Sequence, residues 1–194
     1  MLAIALITPM AATAQFSDSY NFLKAVRDRD GDKATQLLNA PGSTIVNTRD
    51  ITTGETALHI VTQRRDATWM GFLLQRGANP NARDNNGITP LMVATSLRFV
   101  EGAEVLLSRK ARVDETNSSG ETALIRAVQL RDLAMVRLLL KNGANPDKQD
   151  TLAGQSARDY ASGDFRSTAI LDEIVASDKE RKPAGNAKVF GPTG

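Results

Sequence analysis

The sequence predicts an all-α solenoid of stacked helix pairs with β-turn fingers, and three features of register predict it. Gly54-Glu55-Thr56-Ala57-Leu58 recurs as Gly87-Ile88-Thr89-Pro90-Leu91 and as Gly120-Glu121-Thr122-Ala123-Leu124, at intervals of 33 residues. A fourth copy, Gly154-Gln155-Ser156-Ala157, follows after 34. The same register carries the Leu pairs Leu73-Leu74, Leu106-Leu107 and Leu139-Leu140, and then Gly77-Ala78, Lys110-Ala111 and Gly143-Ala144. So many positions agreeing on one period mark an architecture in which no unit buries its apolar face alone.

The elements follow in order. A degenerate first helix pair is expected from Asn21 to Ala40, with Leu37-Leu38 in the Leu-Leu place, inside a cap of about residues 16–50. Three full units follow at about 51–83, 84–116 and 117–150. In each, Thr56, Thr89 or Thr122 stands where a side-chain oxygen caps the first amides of a helix. Pro90 falls at the first helical position, where a missing amide hydrogen costs nothing. Ala94, Ala127 and Ala161 are small enough to let helices approach closely. A second amphipathic helix ends at the Leu pair, and Gly77 or Gly143 supplies the left-handed residue that stops it. Lys110 in that place should cost up to about 1 kcal/mol relative to Gly. Asn79-Pro80-Asn81 and Asn145-Pro146-Asp147 open turn-rich connectors. The last unit, a cap of about 151–175, has Arg158 where inner units have Leu, and its second helix is expected from about Ser167 to Val175. Polar end units keep a solenoid soluble and argue for a monomer over end-to-end stacking.

The first fourteen residues, MLAIALITPMAATA, have an apolar run, a breaking Pro9 and a small-residue Ala12-Thr13-Ala14 site. That is the plan of a secretory signal peptide over residues 1–14, although no Lys or Arg follows Met1. A periplasmic or secreted protein with no membrane insertion after cleavage is the expectation. The run is too short to span a bilayer. Residues 176–194 mix charge, Pro and Gly without apolar periodicity and read as a disordered tail.

Composition narrows the function. The absence of Cys excludes disulfides, thiol nucleophiles and Cys-ligated metals, and suits an oxidising compartment. A single His leaves little for acid–base chemistry or a His metal site. The net charge of +2 lies in the tail, where four Lys/Arg meet two Asp/Glu, so no basic field for nucleic acid is expected. Glu55 and Glu121 share a finger position two units apart, roughly 16–20 Å, too far for a carboxylate pair. No phosphate loop, nucleophile elbow or zinc-protease motif is present. The chain is not expected to be an enzyme or to need a cofactor.

The TALH of Thr56 to His59, the TPL of Thr89 to Leu91 and the Leu-Leu and Gly-Ala pairs that follow resemble the ankyrin repeat, over roughly residues 20 to 175. The small exported bacterial type is the nearest resemblance. It implies a module that holds another protein, with His59 in the motif's own inter-turn hydrogen-bonding place. Ankyrin units usually place Gly between their two helices. This chain places Arg65, Arg98 and Arg131 there, with Arg29 in register. A local reading gives this column to helix C-termini, with Asp66 and Asp132 capping the second helices or neutralising their neighbours. A second reading makes it a binding strip with Leu97, Phe99 and Leu130, centred on Leu97-Arg98-Phe99, since Arg and exposed apolar groups suit interface anchors. The family's geometry adds Thr52, Thr53, Asn85, Asn86, Ser118 and Ser119 at the fingers and Gln63, Ser96 and Gln129 on the first helices. The functional expectation is one partner protein bound on the concave and finger surface; the alternative is an inhibitor or immunity protein blocking an enzyme or toxin in the periplasm. Arg98→Glu would be expected to weaken binding while leaving thermal unfolding nearly unchanged.

Overall fold

The computed structural model describes residues 10–180. Its ten helices are α1 (Met10–Asp28), α2 (Gly31–Leu38), α3 (Ala57–Gln63), α4 (Ala67–Gln75), α5 (Pro90–Ser96), α6 (Val100–Ser108), α7 (Ala123–Gln129), α8 (Leu133–Lys141), α9 (Ala157–Ser162) and α10 (Thr168–Glu180). They pack as five consecutive pairs. First helices stack in the order α1, α3, α5, α7, α9, and second helices α4, α6, α8, α10 form a parallel row behind them. No strand occurs among the described residues, and the fingers hold only isolated bridges, Thr116 with Thr122 and Gln149 with Ser156.

The repeat register becomes the core. Leu58, Leu91 and Leu124 on the first helices and Leu73, Leu106 and Leu139 on the second are all buried, as are Ala94, Ala127 and Ala161. The predicted caps form: Thr89 Oγ1 accepts from Met92 N–H, Thr122 Oγ1 from Ile125 N–H and Ser156 Oγ from Asp159 N–H. Asp66 and Asp132 cap α4 and α8 by accepting from Trp69 and Met135 N–H. In the middle unit Phe99 stands at that place and α6 starts without a side-chain cap.

The C-terminal end differs from the expectation. Helix α10 continues to Glu180, so residues 176–180 are helical where a tail was expected, and residues 181–194 lie outside the described residues. Residues 10–14 of the expected leader belong to α1, and residues 1–9 lie outside the described residues.

Lys110 has φ +65 beside φ +86 at Gly77 and Gly143, the left-handed geometry its register demands. Arg29, Arg65, Arg98 and Arg131 are left-handed too, with φ between 53 and 61. Each carries a steric cost of about 1 kcal/mol that Gly would avoid.

Candidate functional site

The arginine column occupies the left-handed turn between the two helices of each unit. Arg65 Nη2 donates to the carbonyl of Leu97, and Arg98 Nη2 to the carbonyl of Leu130. Leu97 and Leu130 are the C-cap residues of α5 and α7, the first helices of the next units. Each guanidinium therefore meets the negative end of its neighbour's helix, where a cation is favoured and the last carbonyls lack partners. Arg131 ends the series on Asp164, with Nε donating to Oδ2 at 2.7 Å. Together with the backbone N–H of Arg166, this holds the Asp164 carboxyl at about 2, well below the usual range. Arg64 points the other way, to the Val26 carbonyl in the first cap and to Asp66.

This arrangement favours the local reading of the column over the binding strip, with one change: the carbonyl belongs to the following unit. The strip also loses its centre. Phe99 is 8% exposed, its ring lying over Gly102 one turn later, where a Cβ would collide with it. Leu97 and Leu130 are half-buried. Arg98→Glu is accordingly not a clean probe of binding, since it would set a carboxylate against a helix C-terminus.

The fingers are zipped to one another. Thr53 C=O accepts from Asn85 N–H, Asn86 C=O from Ser118 N–H and Ser119 C=O from Thr151 N–H, each at 2.9 Å. Asn85 Nδ2 adds a bond to Thr52 C=O at 2.8 Å, and Ser118 Oγ donates to Asn86 C=O. Each turn is folded by one carboxylate or amide: Asp50, Asp84, Asn117 and Asp150 accept two or three backbone N–H groups through Oδ1. These amides, with Arg27, hold the Asp50 carboxyl at about 2. Asn85 and Ser118 therefore serve the ladder, while Thr52, Thr53 and Asn86 leave exposed side chains at the tips. Ser119 is half-buried.

Gln63, Ser96 and Gln129 are the last residues of α3, α5 and α7, exposed at the end of helices whose other residues are mostly buried. Gln63 donates to Glu55, and Gln129 neighbours Tyr160, whose hydroxyl donates to Asp150 at 2.7 Å and ties the last finger to α9. Trp69 packs edge-on to Phe72 at 5.1 Å and against Gly31 of the first cap, a packing role. Register could not announce Phe165, 86% exposed in the turn before α10.

His59 is 1% exposed and bridges two units. Its Nδ1 accepts from Thr56 N–H at 3.2 Å, so Nε2 carries the proton and donates to Ile88 C=O at 3.0 Å. Burial holds its pKa below the ordinary 6.5. The unfolded chain takes up a proton near 6.5 that the folded chain refuses, so stability is full above that pH and falls as pH drops through it. The slope approaches 1.36 kcal/mol per pH unit for one proton. Urea unfolding at pH 7.5 and pH 5.5 should show this loss in the parent and lose most of it in His59→Gln; equal slopes would refute it. Asp50 and Asp164 titrate too low to interfere.

A family profile described as ankyrin repeats, in three copies, matches residues 22–117 and 72–150. A putative ankyrin repeat protein of fowlpox virus is 33% identical over 81 residues, 37% of this chain and 24% of its own length. Oxysterol-binding protein homolog 1 of Saccharomyces cerevisiae is 32% identical over 94 residues, 47% of this chain and 8% of its own length. The matched regions thus span a quarter or less of each relative.

Proposed function

This chain belongs to the ankyrin repeat family, and from that premise we propose that it holds one partner protein on the face made by the finger tips and the ends of the first helices. Ankyrin repeats are generally protein–protein interaction modules and typically non-enzymatic. The observation that carries the reading is a division of labour at one register. Gln63, Ser96 and Gln129 stay exposed while their helices are otherwise largely committed to the core. Glu55 accepts from both Gln63 and the Thr53 hydroxyl, which joins this row to the finger whose exposed tip carries Thr52. A rigid frame with a row of substitutable polar positions is what a recognition surface needs, and it binds with little ordering cost. The arginine column borders this surface as a brace between units, Arg65 and Arg98 meeting the carbonyls next to Ser96 and Gln129.

Export is part of the proposal and rests on the apolar leader with its Ala12-Thr13-Ala14 site. The partner is therefore sought in the soluble exported fraction of the native host. The test compares capture by the full chain with capture by Ser96→Arg/Gln129→Arg, whose exposed substitutions should leave the urea midpoint nearly unchanged. A protein held by the parent and lost by the variant supports the face. Equal capture by both would overturn it.

A further inference from the structure

The finger ladder has two unsatisfied ends, and they match. Between successive fingers the donor is always the N–H of the residue after the turn-forming Asp or Asn, namely Asn85, Ser118 and Thr151. The acceptor is always the carbonyl of the residue before the turn Gly, namely Thr53, Asn86 and Ser119. By the same rule the first finger offers the N–H of Ile51 and the last finger the carbonyl of Ala153. Neither has a hydrogen-bond partner among the described residues. The glycines tell the same story: a Cβ on Gly54, Gly87 or Gly120 would run into the backbone or side chains of the next finger, whereas at Gly154 it would meet nothing within 4 Å.

The side chains at those two ends are apolar where the inner ones are polar. Ile51 stands where inner fingers have Asn85 and Ser118, and it is 94% exposed. Leu152, in the last finger, is 82% exposed. Beside Ile51 lies an apolar groove of about 290 Å³ lined in part by Tyr20, Leu23 and Thr48. Both end fingers are one residue longer than the inner two, from Asp50 to Gly54 and from Asp150 to Gly154.

We propose that a second copy of this chain docks head to tail, its first finger continuing the ladder from the last finger of the preceding copy. Ile51 N–H donates to Ala153 C=O across the contact, and Leu152 covers Ile51 and the groove beside it. The occupant is a second copy because donor and acceptor follow the one rule that builds the ladder inside the chain. Inside the chain first helices also stack wherever fingers are bonded, α3 on α5, α5 on α7 and α7 on α9. Between copies the cap helices that would meet carry polar residues, which places the contact among weak, concentration-dependent associations. The contact is heterologous, so each copy keeps one open end.

That asymmetry gives the test. Light scattering of the full chain from about 10 µM to about 1 mM should show a weight-average mass rising with concentration, as a weak interface requires. Ile51→Lys and Leu152→Lys, both at exposed positions, should each remain at the mass of one chain. Mixed in equal amounts they should recover pairs but nothing larger, because each variant retains the end the other lacks. A parent that stays at one chain across the range overturns the proposal. So do variants that associate as the parent does, or a mixture that does not recover pairs.

Discussion

Gly120→Ala should lower unfolding stability by about 2–4 kcal/mol, and Gly154→Ala by only about 1 kcal/mol. Both residues are left-handed, with φ +73 and +64, so the same conformational penalty falls on each Ala. The difference lies in what stands in front of the new methyl. At Gly120 it would sit 2.7 Å from Thr151 N and 3.2 Å from Asp150 C, backbone atoms that cannot swing aside, and it would push on the bond from Thr151 N–H to Ser119 C=O. At Gly154 the space is open. Urea denaturation of the two variants, measured side by side, separates finger stacking from turn strain. Equal losses would show that stacking of the fingers contributes nothing to stability.

The second large effect concerns the Leu pair. Leu106→Ala should cost about 3 kcal/mol, within the usual span for a fully buried leucine, and lower the thermal midpoint by roughly 6–12 °C for a chain of this size. Leu107→Ala should cost less than half as much. Leu106 is 0% exposed and belongs to the row of Leu73 and Leu139, while Leu107 lies half-buried at the edge of the core. A cavity among rigid helices is only partly refilled, and the loss grows with the space left. Equal losses from the two variants would mean that the second-helix layer does not face the core as described.

Most of the frame was legible. A 33-residue period, a Thr cap, an Ala at the close approach and a Leu pair each report on local geometry that repeats with the chain. Register sets the start of the last unit's second helix, at Thr168, but not its length, because α10 continues to Glu180 without a Gly to stop it. The candidate site was less legible. Finger positions were found by register, yet Asn85 and Ser118 proved to be rungs between units, with Thr52, Thr53 and Asn86 left as exposed tips.

The sequence by itself determined the period, the capped starts of the helices, the buried leucines and the left-handed turn at Lys110, because each depends on neighbours within a few residues or on the copied register. Only the tertiary structure decided what the arginines do. The acceptors of Arg65 and Arg98 lie 32 residues away and that of Arg131 lies 33 away, and a long flexible side chain has no direction in a one-dimensional pattern until the next unit is set beside it. The same holds for Phe99, an apparent surface anchor until Gly102 leaves room for its ring. Whether a side chain at a recurring position faces a partner or a neighbouring repeat is settled by contacts between units, and those contacts exist only once the units are stacked.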